Sequence, residues 1–120
     1  MAKRTDFHDY VMQDLMAGIR GVTSRAMFGG WALHRDGVTF GIIADGQLFF
    51  KVDERNRKDY QGKGSEPFVY ESRGKKVIMK SYWEVPAEVQ EDREALERWI
   101  TASCRAAKKG KQRPGPVLEN

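Results

Sequence analysis

The stretch WALHRDGVTFGIIADGQLFFKV, Trp31–Val52, decides the fold. Asp36-Gly37 and Asp45-Gly46 each sit between β-rich runs and suit the two positive-φ positions of a tight hairpin. A two-residue loop at Asp36-Gly37 places Leu33 opposite Phe40 and Trp31 opposite Ile42, all on one face. The same loop at Asp45-Gly46 would set Phe40 against Lys51 and waste the alternation of Leu48, Phe50 and Val52. A three-residue loop, Ala44-Asp45-Gly46 with a glycine bulge, instead pairs Ile42 with Leu48 and Phe40 with Phe50. That register is the expected one, because a slip of one residue sends every side chain to the wrong face.

Helix signals flank this sheet. Thr5 or Asp6 caps a first helix whose Phe7, Tyr10, Val11, Leu15 and Ile19 recur at helical spacing, with Gly18 and Gly21 at its exit. Asp53 reads as the cap of a short polar helix over about residues 54–61, and 62–67 as a loop. Residues 68–72 and 76–85 read as two more strands joined by a tight turn at Arg73-Gly74-Lys75. Pro86 suits the first turn of a short helix over 87–90. Asp92 caps a last helix striped by Leu96, Trp99, Ile100, Ser103 and Ala107. The expected fold is therefore a two-layer α+β sandwich, an antiparallel sheet of about five strands with helices on one face. Residues 1–108 form the domain and 109–120 a basic, disordered tail.

With helices on one side only, alternation assigns Thr39, Ile43, Gln47, Phe49, Lys51, Lys76, Ile78, Lys80 and Tyr82 to the uncovered face. Its centre is apolar and its margin basic, which makes Ile43, Phe49, Lys51, Lys76, Ile78, Lys80 and Tyr82 the candidate interaction face. Met27-Phe28-Gly29-Gly30-Trp31 is a second candidate, a contact turn. Its glycine pair equally serves to redirect the chain into the sheet, and that structural reading carries more weight.

The totals bound the function. Of 120 residues, 40% are hydrophobic and 32% charged, as in an ordinary folded domain. No apolar run is long enough to span a bilayer and no secretory signal opens the chain. A lone cysteine, Cys104, excludes an internal disulfide and suits a reducing compartment, so the cytoplasm is expected. The net charge of +4 comes from residues 105–120, where Arg105, Lys108, Lys109, Lys111 and Arg113 are opposed by Glu119 alone. Such a run is more often a solvated terminus than a nucleic-acid contact.

Catalytic signatures are missing from the pattern. His8 and His34 have no ligand-type neighbour at helical spacing, and Cys104 beside an apolar stripe reads as a small packed hydrophobe. No nucleophile elbow, Walker loop or dinucleotide fingerprint is present. Catalytic, metal and cofactor residues are thus expected to be none.

Several ordered blocks carry a resemblance. They are Arg25-Ala26-Met27-Phe28-Gly29-Gly30, residues 36–48 from Asp36-Gly37-Val38 to Asp45-Gly46 and Leu48, and Phe50-Lys51-Val52-Asp53 with Asn56. They continue as Gly64-Ser65-Glu66-Pro67-Phe68 with Tyr70, then Ser81-Tyr82-Trp83-Glu84-Val85-Pro86-Ala87-Glu88-Val89 and the Trp99 helix. Together, over about residues 5–105, the chain resembles the N-terminal domain family of TfoX, also called Sxy, the bacterial competence regulator. The resemblance implies a sandwich of the secretion-chaperone-like kind, a bacterial source and no established catalytic residues. Full-length TfoX regulators assist transcription of DNA-uptake genes with the cyclic-AMP receptor protein and carry a second, helical domain, and against that pattern this chain is expected to stop after the first domain.

Two functions follow as expectations. The first is a non-catalytic regulatory or adaptor domain that binds a protein partner, or a second copy as a homodimer, through the uncovered face. The alternative is direct nucleic-acid binding by Arg25, Lys51, Lys76, Lys80 and the tail, with Phe49 and Tyr82 stacking on bases.

Overall fold

The computed structural model describes residues 4–27 and 29–112, with side chains described for 6–27 and 29–108. Helix α1 (Arg4–Tyr10) runs directly into a π-helical segment, Val11–Leu15. Strands β1 (Val22–Met27), β2 (Gly30–Arg35), β3 (Val38–Ala44) and β4 (Gln47–Lys51) follow as a meander. Helix α2 (Arg57–Gly62) leads to the hairpin β5 (Pro67–Ser72) and β6 (Lys75–Glu84), then α3 (Ala87–Gln90) and α4 (Arg93–Gln112). All six strands form one antiparallel sheet in the order β1-β2-β3-β4-β6-β5. The sixth strand arises because the chain folds back between Met27 and Gly30, which are paired.

The hairpin turns follow sequence chemistry. Asp36 and Gly37 have φ of 53° and 79°, Asp45 and Gly46 of 52° and 69°, and Arg73 and Gly74 of 55° and 78°. Each is a two-residue loop with both central residues at positive φ, the arrangement that matches strand twist. The three-residue loop expected at Ala44-Asp45-Gly46 is therefore corrected, since Ala44 pairs with Gln47. What restores the apolar alternation is a bulge in β3 itself, in its pairing with β2. Leu33 pairs with Gly41 but His34 with Thr39, so Phe40 is the extra residue. Phe40, Ile43, Leu48 and Phe50 can then all face the helices, and all lie in one core cluster with Val11, Leu15, Leu96 and Ile100.

That core is the reason the helices sit where they do. Val11, Leu15, Met16 and Ile19 are buried from the first helical segment. The wider π turn, with Met16 N–H bonded to Val11 C=O, brings Met16 inward and leaves Tyr10 exposed, contrary to the regular spacing expected for it. Helix α4 packs on β3 and β4 through Leu96, Ile100 and Ser103, joined by Ala106 in place of Ala107. Asp92 caps it as expected, its Oδ1 accepting the N–H groups of Glu94 and Ala95. Asp53 does not cap α2 directly. It opens a turn closed by Asn56, whose side chain accepts Asp53 N–H and donates to Lys51 C=O. No helix among the described residues is long and apolar enough to cross a membrane. Helix α4 continues to Gln112, and residues 113–120, most of the expected tail, lie outside the described residues.

Candidate functional site

The register fixes what each sheet face presents. Ile42 pairs with Phe49, Phe49 with Glu84 and Lys51 with Tyr82, which places these side chains opposite the core cluster. Ile43, expected on the open face, belongs instead to the core at 3% exposure, a direct result of the Phe40 bulge. Phe49 does point to the open side, yet it is only 4% exposed, because the Phe68 ring packs on it with centroids 4.7 Å apart. Lys51 Nζ sits 5.1 Å from the centroid of the Tyr82 ring. Burial pushes the Tyr82 phenol above its ordinary range. Centred on Ile42 and Phe49, the open face is thus already occupied by its own side chains.

Lys76, Ile78 and Lys80 lie elsewhere, on a feature that alternation alone did not reveal. Strand β6 pairs with β4 only over Tyr82–Glu84, then continues outward to Lys75 with β5 as its sheet neighbour. Pro67 pairs with Trp83 while the next residue, Phe68, pairs with Met79, so Lys80, Ser81 and Tyr82 form a wide bulge in β6. The bulge reverses the facing of everything beyond it. Phe68 and Tyr70 stack on the side of Phe49, whereas Val69 and its partner Ile78 look to the other side. Val69 is 44% exposed, Tyr70 38% and Ile78 55%. Sequence reasoning missed Val69 and Tyr70. The signal was present in Phe68-Val69-Tyr70 opposite Val77-Ile78-Met79, a hairpin apolar on both faces.

The second candidate, the contact turn, is divided by the structure. Trp31 is half-buried and stacks on His8 at 3.7 Å between ring centroids, while His8 Nε2 and Ser24 Oγ are 2.7 Å apart. His8 is therefore a pin between α1 and the β1–β2 hairpin. Gly30 admits no side chain, since an added Cβ would lie 2.2 Å from Ile43 C=O. Met27 and Gly29 are exposed, and Phe28 lies outside the described residues. Within this turn Gly30 and Trp31 pack the sheet edge.

Two concavities among the described residues bring no catalytic set together. A groove of about 450 Å³ between α2 and α4 is lined by residues including Asp59, Lys63, Arg98 and Trp99. Its Lys63 is already bonded to Glu88 at 2.7 Å. A smaller cleft of about 240 Å³ holds Arg35, Asp36, Cys104, Arg105 and Lys108. Burial pushes the Cys104 thiol up despite Arg35 and Lys108 nearby, the opposite of what a nucleophile needs. Among the described residues no group of three His, Cys, Asp or Glu side chains is placed to hold a metal ion.

Fold and surface together define a small two-layer α+β domain with a two-stranded arm. The family model for the TfoX N-terminal domain matches residues 14–107, and the chain belongs to that family. The family is linked in general to competence regulation and is not a known family of enzymes. None of the curated proteins compared matches the chain.

Proposed function

We propose that this chain is a non-catalytic regulatory domain that acts by protein–protein contact, with the β5–β6 arm as its contact surface. One observation carries the reading. Of the five large hydrophobic side chains exposed among the described residues, Val69, Tyr70 and Ile78 stand on this arm. A two-stranded ribbon open on both faces is marginal in water and gains stability when another surface covers it. The general link of the family to competence regulation makes control of gene expression the process in which such a contact would serve.

Direct nucleic-acid binding finds less support. Phe49 offers no open ring for a base, and Lys51 is engaged on Tyr82. The test places a photo-crosslinking benzoyl-phenylalanine at Ile78 and, as a control, at exposed Glu94 on α4, in living cells. Protein adducts at position 78 and none at 94 are expected. Adducts to nucleic acid at 78 would favour the alternative, and no adduct at 78 would overturn the reading.

A further inference from the structure

We infer that the arm pairs with the same arm of a second copy, edge to edge along β5, so that two sheets become one. The inference rests on reading the arm as a contact surface and adds the identity of the occupant. It begins from backbone geometry. In a two-residue hairpin the pair beside the loop, here Ser72 and Lys75, is hydrogen-bonded, and bonding then alternates along the strand. Phe68, Tyr70 and Ser72 therefore bond to β6, which agrees with Glu84 N–H donating to Glu66 C=O further along. The N–H and C=O groups of Val69 and Glu71 point away from β6, past the last strand of the sheet.

Edge strands that must stay unpaired are commonly protected by lysines, bulges or an internal proline. The far edge of β6 has such protection, with Lys76 and Lys80 on either side of Ile78. Strand β5 has no lysine, and its proline stands at the first position, where it leaves the outward amides of Val69 and Glu71 intact.

A second copy fits this edge in one antiparallel register. Centred on Val69, the pairing lets Val69 exchange both backbone bonds with Val69 of the second copy. Glu71 N–H then reaches Pro67 C=O, and Phe68 lies beside Tyr70. Ile78 and Val69 of both copies make one apolar stripe. Shifting the centre to Tyr70 would instead set Val69 against Glu71. Charge agrees with the first register. Ser72 comes opposite Glu66 of the second copy, and Lys75 lies in the same row and on the same face, one strand further. Strands are about 4.8 Å apart, so a lysine can reach across the small serine. The cationic tip of each arm thus meets the acidic base of the other.

Light scattering on the full chain during size-exclusion, over a wide concentration range, reads the outcome. The mass is expected to rise from 13.7 kDa toward twice that value. Glu66→Lys and Lys75→Glu should each hold the chain at the monomer mass where the wild type has doubled. The double variant Glu66→Lys/Lys75→Glu should restore the doubled mass, which an unfolded or merely perturbed protein would not do. A wild type that stays monomeric throughout, or a double variant no better than the singles, overturns the inference. If Ile78 still crosslinks to a different protein in cells, the dimer alone fails and the arm remains a contact surface.

Discussion

At Gly41 an added methyl group would meet Phe49 C=O at 2.8 Å and the Phe50 ring at 2.9 Å. Gly41→Ala therefore forces the bulged strand away from β4, and a loss of about 1–3 kcal/mol in urea unfolding is expected. Tyr60 behaves in the opposite way. Its hydroxyl and that of Ser103 are buried without a well-formed hydrogen bond, although Ser103 is near enough to act on the phenol. Burial pushes that phenol far above its ordinary range. Tyr60→Phe removes a desolvated hydroxyl and keeps the ring against Trp99, so stability should be unchanged or rise by about 1 kcal/mol. Asp53 supplies the pH dependence. Partial burial raises its carboxyl, but hydrogen bonds from the Arg55 side chain and backbone, the charge of Arg55 and the backbone of Asn56 outweigh it. The net value lies below the ordinary 3.8. A depressed folded value means stability that is present above the unfolded value and lost as pH falls through the folded one. Acid titration of stability should therefore be shallower in Asp53→Asn than in the wild type.

At the scale of elements, the arm and the body rest on different physics. Leu96 and Ile100 on α4 close the core, whereas Val69 and Ile78 lie outside it. In protein dilute enough to be monomeric, replacing Val69 and Ile78 by serine should shift the unfolding free energy by no more than about 0.5 kcal/mol each. A large drop would mean that the arm is part of the folding unit. The same contrast explains what the sequence made legible. Asp36-Gly37 and Asp45-Gly46 gave the hairpins, and Asp92 with Leu96 and Ile100 gave α4, because turn chemistry and helical spacing act locally. The face of Ile43 was hidden because it hangs on one extra residue, Phe40, set in the pairing of β3 with β2 and away from the turn whose loop length was at issue. Gly41 was the available hint, since glycine inside a strand marks a bulge or a close backbone approach. The facing of Ile78 was lost the same way, through the Lys80–Tyr82 bulge. Period-two counting holds only while a ladder runs unbroken.

For the whole molecule, the helices and the inner strands satisfy one another around a single core cluster, while the β5–β6 ribbon extends beyond β4 with apolar side chains on both faces. On the proposed reading the body folds around its own core, and the arm is the part that another surface covers. Backbone amide exchange, followed residue by residue from dilute to concentrated protein, tests this division most directly. Slowing confined to the arm, strongest at Val69 and Glu71, is the expected result. Unchanged exchange there, with slowing instead at Arg25, Ala32 and Ile42 on the open sheet face, would contradict it.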